Sequence, residues 1–200
     1  MEARLVPAMK ENQMDKVRCF GADDPLYQTY HDEEWGRPLE ASDDEHELLE
    51  RVCLEGFQAG LSWITVLRKR EAFREAFASF DPAVVAEFDE DDVEVLMSNT
   101  GIIRNRLKIQ AAIGNARALN EMHDNGERLA DVIAGYAPEP REQASLTWFD
   151  VPASTPESVA LSKDLRRRGF RFVGPTTMYA LMQAIGHVDD HIKGCWLARA

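Results

Sequence analysis

No apolar run in this 200-residue chain approaches the roughly 20 residues needed to cross a bilayer. The opening stretch MEARLVPAMKENQMDK lacks the apolar segment of a secretory leader, so a cytoplasmic protein is the expectation. Cysteine is scarce. Cys19, Cys53 and Cys195 cannot all pair with one another, and in a reducing compartment they are expected as free thiols or metal ligands rather than disulfides. Internal repeats and low-complexity blocks are missing. So is any sustained alternation of apolar and polar residues, and without it a sheet has no support. The fold class expected is all-α.

Helical signals are plentiful. Ser42 and Glu45 have the spacing of a capping box, and Leu48, Leu49, Val52 and Cys53 follow on one stripe. Trp63, Val66, Leu67, Phe73 and Phe77 continue at helical spacing. Asp81-Pro82 and Thr155-Pro156 each combine a capping side chain with a proline that needs no N–H partner. Ile109 to Leu119 and Met178 to Ile185 mark two further helices. Residues 1–17 read as a flexible tail, with Met14 a second candidate start, and residues 18–200 as one domain. Residues 135–153 hold Pro138, Pro140 and Pro152 and read as a connecting loop.

The net charge of −12 opposes a nucleic-acid partner at first sight. The charge is segregated, however. Residues 23–50 contain eleven acids and one base, and residues 81–97 contain seven acids and no base. Basic clusters stand at 68–70, 104–108 and 166–171, while residues 98–120 contain no acid. Such a molecule can present phosphate with a basic face. Each cluster read alone is also an ordinary solvated helix face.

In DDHIKGC, His191 and Cys195 stand four residues apart, and CFGADDPLYQTYH brackets Cys19 and His31. Together they form a Cys2His2 set that would close a tetrahedral zinc site, leave no position for water, and tie the two ends of the chain together. Spacing leaves a second reading open: surface histidines and a free terminal thiol. His46, His123 and His187 lie among charges or in polar turns. Cys53 reads as a core thiol.

Four blocks, RCFGADDPLYQTYHDEEWG, LEGFQAGLSWITVLRKR, GIIRNRLKIQAAIGNARA and RRRGFRFVGPTTMYALMQAIGHVDDHIKGC, span about residues 18–195. Their order and content resemble the 3-methyladenine DNA glycosylase I family. The resemblance implies a helix-hairpin-helix glycosylase fold and a monofunctional enzyme that flips out and hydrolytically removes 3-methyladenine from alkylated duplex DNA. It also implies one structural zinc per chain on Cys19, His31, His191 and Cys195. A tryptophan common in the family two residues after the first cysteine is replaced by the Phe20-Gly21 pair, a departure that bears on stacking there and not on the metal set.

The resemblance distributes roles as follows. Glu55 accepts hydrogen bonds from the adenine edge, and Tyr30 and Trp63 contact the base, with Tyr27 and Trp35 nearby. Gly60-Leu61 supplies a wedge that fills the gap left by an extruded base. Gly101, Arg104, Arg106 and Lys108 grip phosphates at the hairpin. The aspartate that many helix-hairpin-helix glycosylases carry in a Gly-Pro-Asp context has no counterpart: Thr176 follows Gly174-Pro175, and Asp124 lies in a polar turn. The enzyme is expected to act as a monomer with no membrane association. Two rivals remain: a non-catalytic zinc-stabilised module for kinked DNA, and a zinc hydrolase built on YHDEEWG, which would need an open metal position.

Overall fold

A computed structural model of the chain describes residues 16–38, 45–140, 144 and 147–198. Among them are ten α-helices and no strand. They are α1 (Pro25–Glu33), α2 (Glu45–Gln58), α3 (Trp63–Leu67), α4 (Arg70–Ala76), α5 (Pro82–Val85), α6 (Glu90–Ser98), α7 (Arg106–Asp124), α8 (Leu129–Ala134), α9 (Pro156–Arg167) and α10 (Pro175–Ala184). Short 3-10 turns occupy Ala78–Phe80 and Trp148–Asp150. None of these helices is long and apolar enough to cross a membrane.

The proline starts behave as their chemistry requires. Asp81 Oδ1 accepts from Ala83 N at 2.9 Å, and Thr155 with Ser158 forms a reciprocal box at the start of α9. Asp24-Pro25 is the same signal: Asp24 caps α1 by accepting from the Leu26 and Tyr27 amides. That helix was read from the sequence only as a stretch bracketing metal ligands. Ser42 lies outside the described residues. Its partner Glu45 reaches another helix altogether, accepting from the Leu129 and Ala130 amides at 2.7 and 3.0 Å and so capping α8.

Helix α2 is more deeply placed than its one stripe suggests. Glu50, Leu54, Glu55, Gly56 and Phe57 are buried as well as the stripe residues, and α2 packs against α3, α7, α8 and α10. Gly56 is required by this packing, since a Cβ there would stand 3.1 Å from that of Phe172. A main core runs from Leu48 to Val188, and a smaller cluster of Tyr30, Trp35, Leu67 and Ala184 sits where α1 meets α3 and α10.

Ion pairing follows the segregation of charge. Glu34 holds Arg70 at 2.5 Å and Arg51 at 3.1 Å, Glu50 grips Arg74 with both oxygens at 2.8 Å, and Asp24 pairs with Arg68. The acid-rich segment 23–50 thus neutralises Arg68 and Arg70 of the first basic cluster from within the same molecule.

Candidate active site and metal centre

The smaller cluster opens into a cavity of about 230 Å³ lined by Phe20, Tyr27, Tyr30, Trp35, Glu55, Gln58, Trp63, Trp148, Ala180 and Gln183. This is below the roughly 300–1,000 Å³ of drug-sized sites and suits one base better than a whole nucleotide. Its walls are aromatic. Ring centroids lie 5.4 Å apart for Tyr30 and Trp63, 4.7 Å for Phe20 and Tyr27, and 5.0 Å for Phe20 and Trp35.

Two polar atoms in this apolar setting are buried without a hydrogen-bond partner: Glu55 Oε2 and Trp63 Nε1. Buried polar atoms normally have partners, so an orphaned acceptor and donor in one cavity point to a ligand. Burial pushes the Glu55 carboxyl up to about 8, and the nearby Arg51 guanidinium only partly opposes the rise. Burial also raises Tyr30 well above its ordinary value.

Sequence reasoning brought Tyr27, Tyr30, Trp35, Glu55 and Trp63 to this region, and all five line the cavity. It missed Phe20, Gln58, Trp148, Ala180 and Gln183. Phe20 stands beside the first cysteine, and its ring occupies the cavity wall despite the altered aromatic pattern there. Trp148 gave no signal, because it sits in the proline-rich connection far along the chain. Gln183 Nε2 donates to Asp190 Oδ2 at 2.7 Å, and Tyr179 Oη donates to the same oxygen at 2.6 Å.

Beyond the cavity, α2 ends at Gln58, and Gly60 turns the chain at φ +83°. This left-handed conformation favours glycine. Leu61 follows it, 44% exposed. At the α6–α7 connection the basic residues have three different fates. Arg104 is exposed. Arg106 pairs with Glu90 and, at 2.5 Å, with Glu94. Lys108 turns inward: its buried ammonium donates to Phe57 O at 2.9 Å and Ala59 O at 2.5 Å. The resemblance gives Lys108 a phosphate role; in this structure its charge holds the carboxyl end of α2. Gly101 has its own internal partner, its amide donating to Asn99 Oδ1 at 2.8 Å, while a Cβ there would stand 3.0 Å from Ala72 Cβ. The glycine serves close approach within the fold.

On the far side of α1, ligand atoms of Cys19, His31 and Cys195 all lie within 4.8 Å of one another. His31 Nδ1 contacts Asp32 Oδ1 at 2.9 Å, and His191 Nδ1 contacts Asp189 Oδ1 at 2.8 Å. Carboxylates on the outer nitrogens free the inner ones for a metal. His191 Nε2 is buried without a partner, and its ring lies 5.3 Å from that of His31. His191 stands outside the tight three-residue group. Burial pushes the Cys19 thiol up to about 12, so a thiolate here calls for a cation. The donor set therefore fits a metal ion. Trp196 N donates to Val17 O at 2.9 Å, joining the two chain ends beside the cluster.

The methyladenine glycosylase family model matches residues 20–199. The chain is 52% identical over 180 residues to DNA-3-methyladenine glycosylase 1 of Escherichia coli (strain K12), covering 89% of this chain and 95% of that protein. It is 46% identical over 183 residues to DNA-3-methyladenine glycosylase of Haemophilus influenzae (strain ATCC 51907 / DSM 11121 / KW20 / Rd), covering 90% and 96%. A crystal structure of 3-methyladenine DNA glycosylase I superposes with a TM-score of 0.86 at 51% identity, covering 92% of this chain and all of that one. A tyrosine-to-phenylalanine variant of 3-methyladenine DNA glycosylase I, in complex with 3-methyladenine, gives 0.83 at 33% identity, covering 91% and 97%. With this fold, this cavity and matches over nearly its whole length, the chain belongs to the methyladenine glycosylase family.

Proposed function

We propose that the chain is a DNA-3-methyladenine glycosylase, which extrudes the damaged nucleotide from duplex DNA and hydrolyses its glycosidic bond, leaving an uncut abasic site. The observation that carries this reading is Glu55, a buried carboxyl with an unpartnered oxygen in an aromatic cavity. Extrusion of a base costs a few kcal/mol. Stacking on Tyr30, Trp63, Tyr27 and Trp35 offsets this, at about 1–3 kcal/mol per aromatic contact. Leu61, carried on the Gly60 turn, fills the gap in the stack, and Arg104 with the Gly101 hairpin holds the backbone. Arg106 joins them by exchanging Glu90 and Glu94 for a phosphate, since exposed ion pairs contribute only ~0–1 kcal/mol.

Glu55 supplies selection. The rise from 4.5 to about 8 corresponds to an ionisation penalty of about 5 kcal/mol. A cationic base at 4 Å returns roughly 4 kcal/mol at an effective dielectric near 20. N3-methylated adenine is cationic in DNA and nearly offsets the penalty, whereas a neutral purine leaves Glu55 protonated. The methylated base then departs neutral across an already weakened bond, which makes a dedicated catalytic aspartate dispensable. Tyr30 and Trp63 fix the base plane during that departure, and the Trp63 N–H is an available donor to its edge. A carboxylate that holds a cation would slow the bond-breaking step, because the attraction fades as the base loses its charge. Glu55 accordingly serves selection and orientation more than the chemical step.

For the metal centre, zinc fits best: two thiolates and two imidazoles from Cys19, Cys195, His31 and His191 make a closed structural set. It pins the terminal segments behind α1, where Tyr27 and Tyr30 originate, and leaves the chemistry to the cavity. A hydrolase centred on that metal would need an open position.

The test is base release from methylated duplex DNA by the purified chain, acting as a monomer. 3-Methyladenine should be the main product, with little 7-methylguanine, no unmodified adenine, and no strand scission without added base. Binding to kinked DNA with no base released would favour the non-catalytic module.

A further inference from the structure

The turn at residues 147–150 has a feature the core does not explain. Thr147 Oγ1 accepts from the Phe149 amide at 3.2 Å, and Asp150 Oδ2 accepts from the Thr147 amide at 2.8 Å. The Thr147 hydroxyl also donates to Asp150 Oδ2 at 2.9 Å, so the turn is braced on itself and its carboxylate is turned inward. Trp148 anchors it to the cavity. Its indole N–H donates to Cys19 O at 3.0 Å, and its ring lies 6.1 Å from Trp35 and 6.2 Å from Phe20. Phe149, next in the chain, is fully exposed at 100%.

A phenylalanine held in water on a braced turn gains nothing from the fold. The Gly60–Trp63 turn makes a similar combination: a cavity-lining Trp63 and, two residues away, an exposed Leu61. Two turns thus each combine one indole wall with one exposed apolar side chain. Building on the base-excision reading above, we infer that residues 147–150 form a second DNA-reading element, in which Trp148 walls the base cavity and Phe149 stacks on a base beside the extruded nucleotide. Continuity with the cavity selects this occupant, because a nucleotide entering past Trp148 brings its neighbours to Phe149. Stacking on an unpaired base face tolerates any sequence, which suits an enzyme that must act at every lesion.

The test uses Phe149→Ala with the full chain. Affinity for a lesion-containing duplex, and single-turnover excision with enzyme in excess of DNA but below saturation, should fall about 5- to 150-fold, the range of one aromatic stack. Thermal stability and affinity for free 3-methyladenine should stay unchanged, since Phe149 touches neither core nor cavity. Trp148→Leu should instead weaken free-base binding at least 5-fold. Equal duplex affinity and excision in Phe149→Ala would overturn the inference, as would a dimer of the wild-type chain that Phe149→Ala dissolves. If the wild-type chain releases no base in the same assay, the failure lies with the base-excision reading instead.

Discussion

Replacing Glu55 with glutamine should make the protein more stable while impairing its function. Folded Glu55 binds its proton far more tightly than the unfolded chain, with a value of about 8 against 4.5. The sign follows from linkage: this group's contribution is fully present below pH 4.5 and is lost as pH rises through about 8. Within that window wild-type stability declines by up to ~1.4 kcal/mol per pH unit from this group alone, reaching about 4 kcal/mol near pH 7.5. Glutamine keeps the shape without the charge, so Glu55→Gln should match wild type near pH 4.5 and exceed it by roughly 2–4 kcal/mol near pH 8. For a chain of this size the melting temperature then rises by about 5–15 °C. Thermal and urea unfolding of both proteins from pH 4.5 to 9 measures the difference. A gap that stays constant across that range would refute the buried neutral carboxyl. In the same variant, affinity for an N9-alkylated 3-methyladenine cation should fall at least about tenfold, consistent with the loss of a charge-assisted hydrogen bond. Collapse of excision with base binding intact would refute the selection role.

Other outcomes follow from the remaining geometry. Leu61→Ala removes an exposed side chain, so stability should hold while single-turnover excision from duplex DNA drops about tenfold, in line with the loss of an apolar wedge worth a little over 1 kcal/mol. Chelation of the metal, or Cys195→Ala, should lower the melting temperature and abolish activity together with the fold; activity lost first, at constant circular dichroism, would mean a catalytic metal. Lys108→Met leaves the Phe57 and Ala59 carbonyls without their donor and should cost roughly 2–4 kcal/mol in urea unfolding, while the salt dependence of DNA binding stays the same.

Much of this was legible in the sequence because it is local. Asp81-Pro82 and Thr155-Pro156 fix helix starts through atoms a few bonds apart, and the long apolar periods of α7 and α10 need only one buried side. Distant partners were hidden. Glu45 had a plausible local partner in Ser42, yet it caps α8, a choice made by the tertiary approach of α2. Lys108 looked like one more surface cation, and only the position of α2's last carbonyls shows that its ammonium is buried. Asp24-Pro25 carries the same local start signal as Asp81-Pro82, and Asp24 caps α1 in the same way. Trp148 joins the cavity from a loop whose position no periodicity encodes.

The selection claim is tested most directly by titrating the Glu55 carboxyl itself, through the side-chain 13C shift of labelled protein with and without an N9-alkylated 3-methyladenine cation. The midpoint should lie near 8 in the free protein and fall by at least about one unit when the cation binds, the direction a nearby positive charge imposes. A midpoint near 4.5 in the free protein, or one that the cation does not move, would contradict the account.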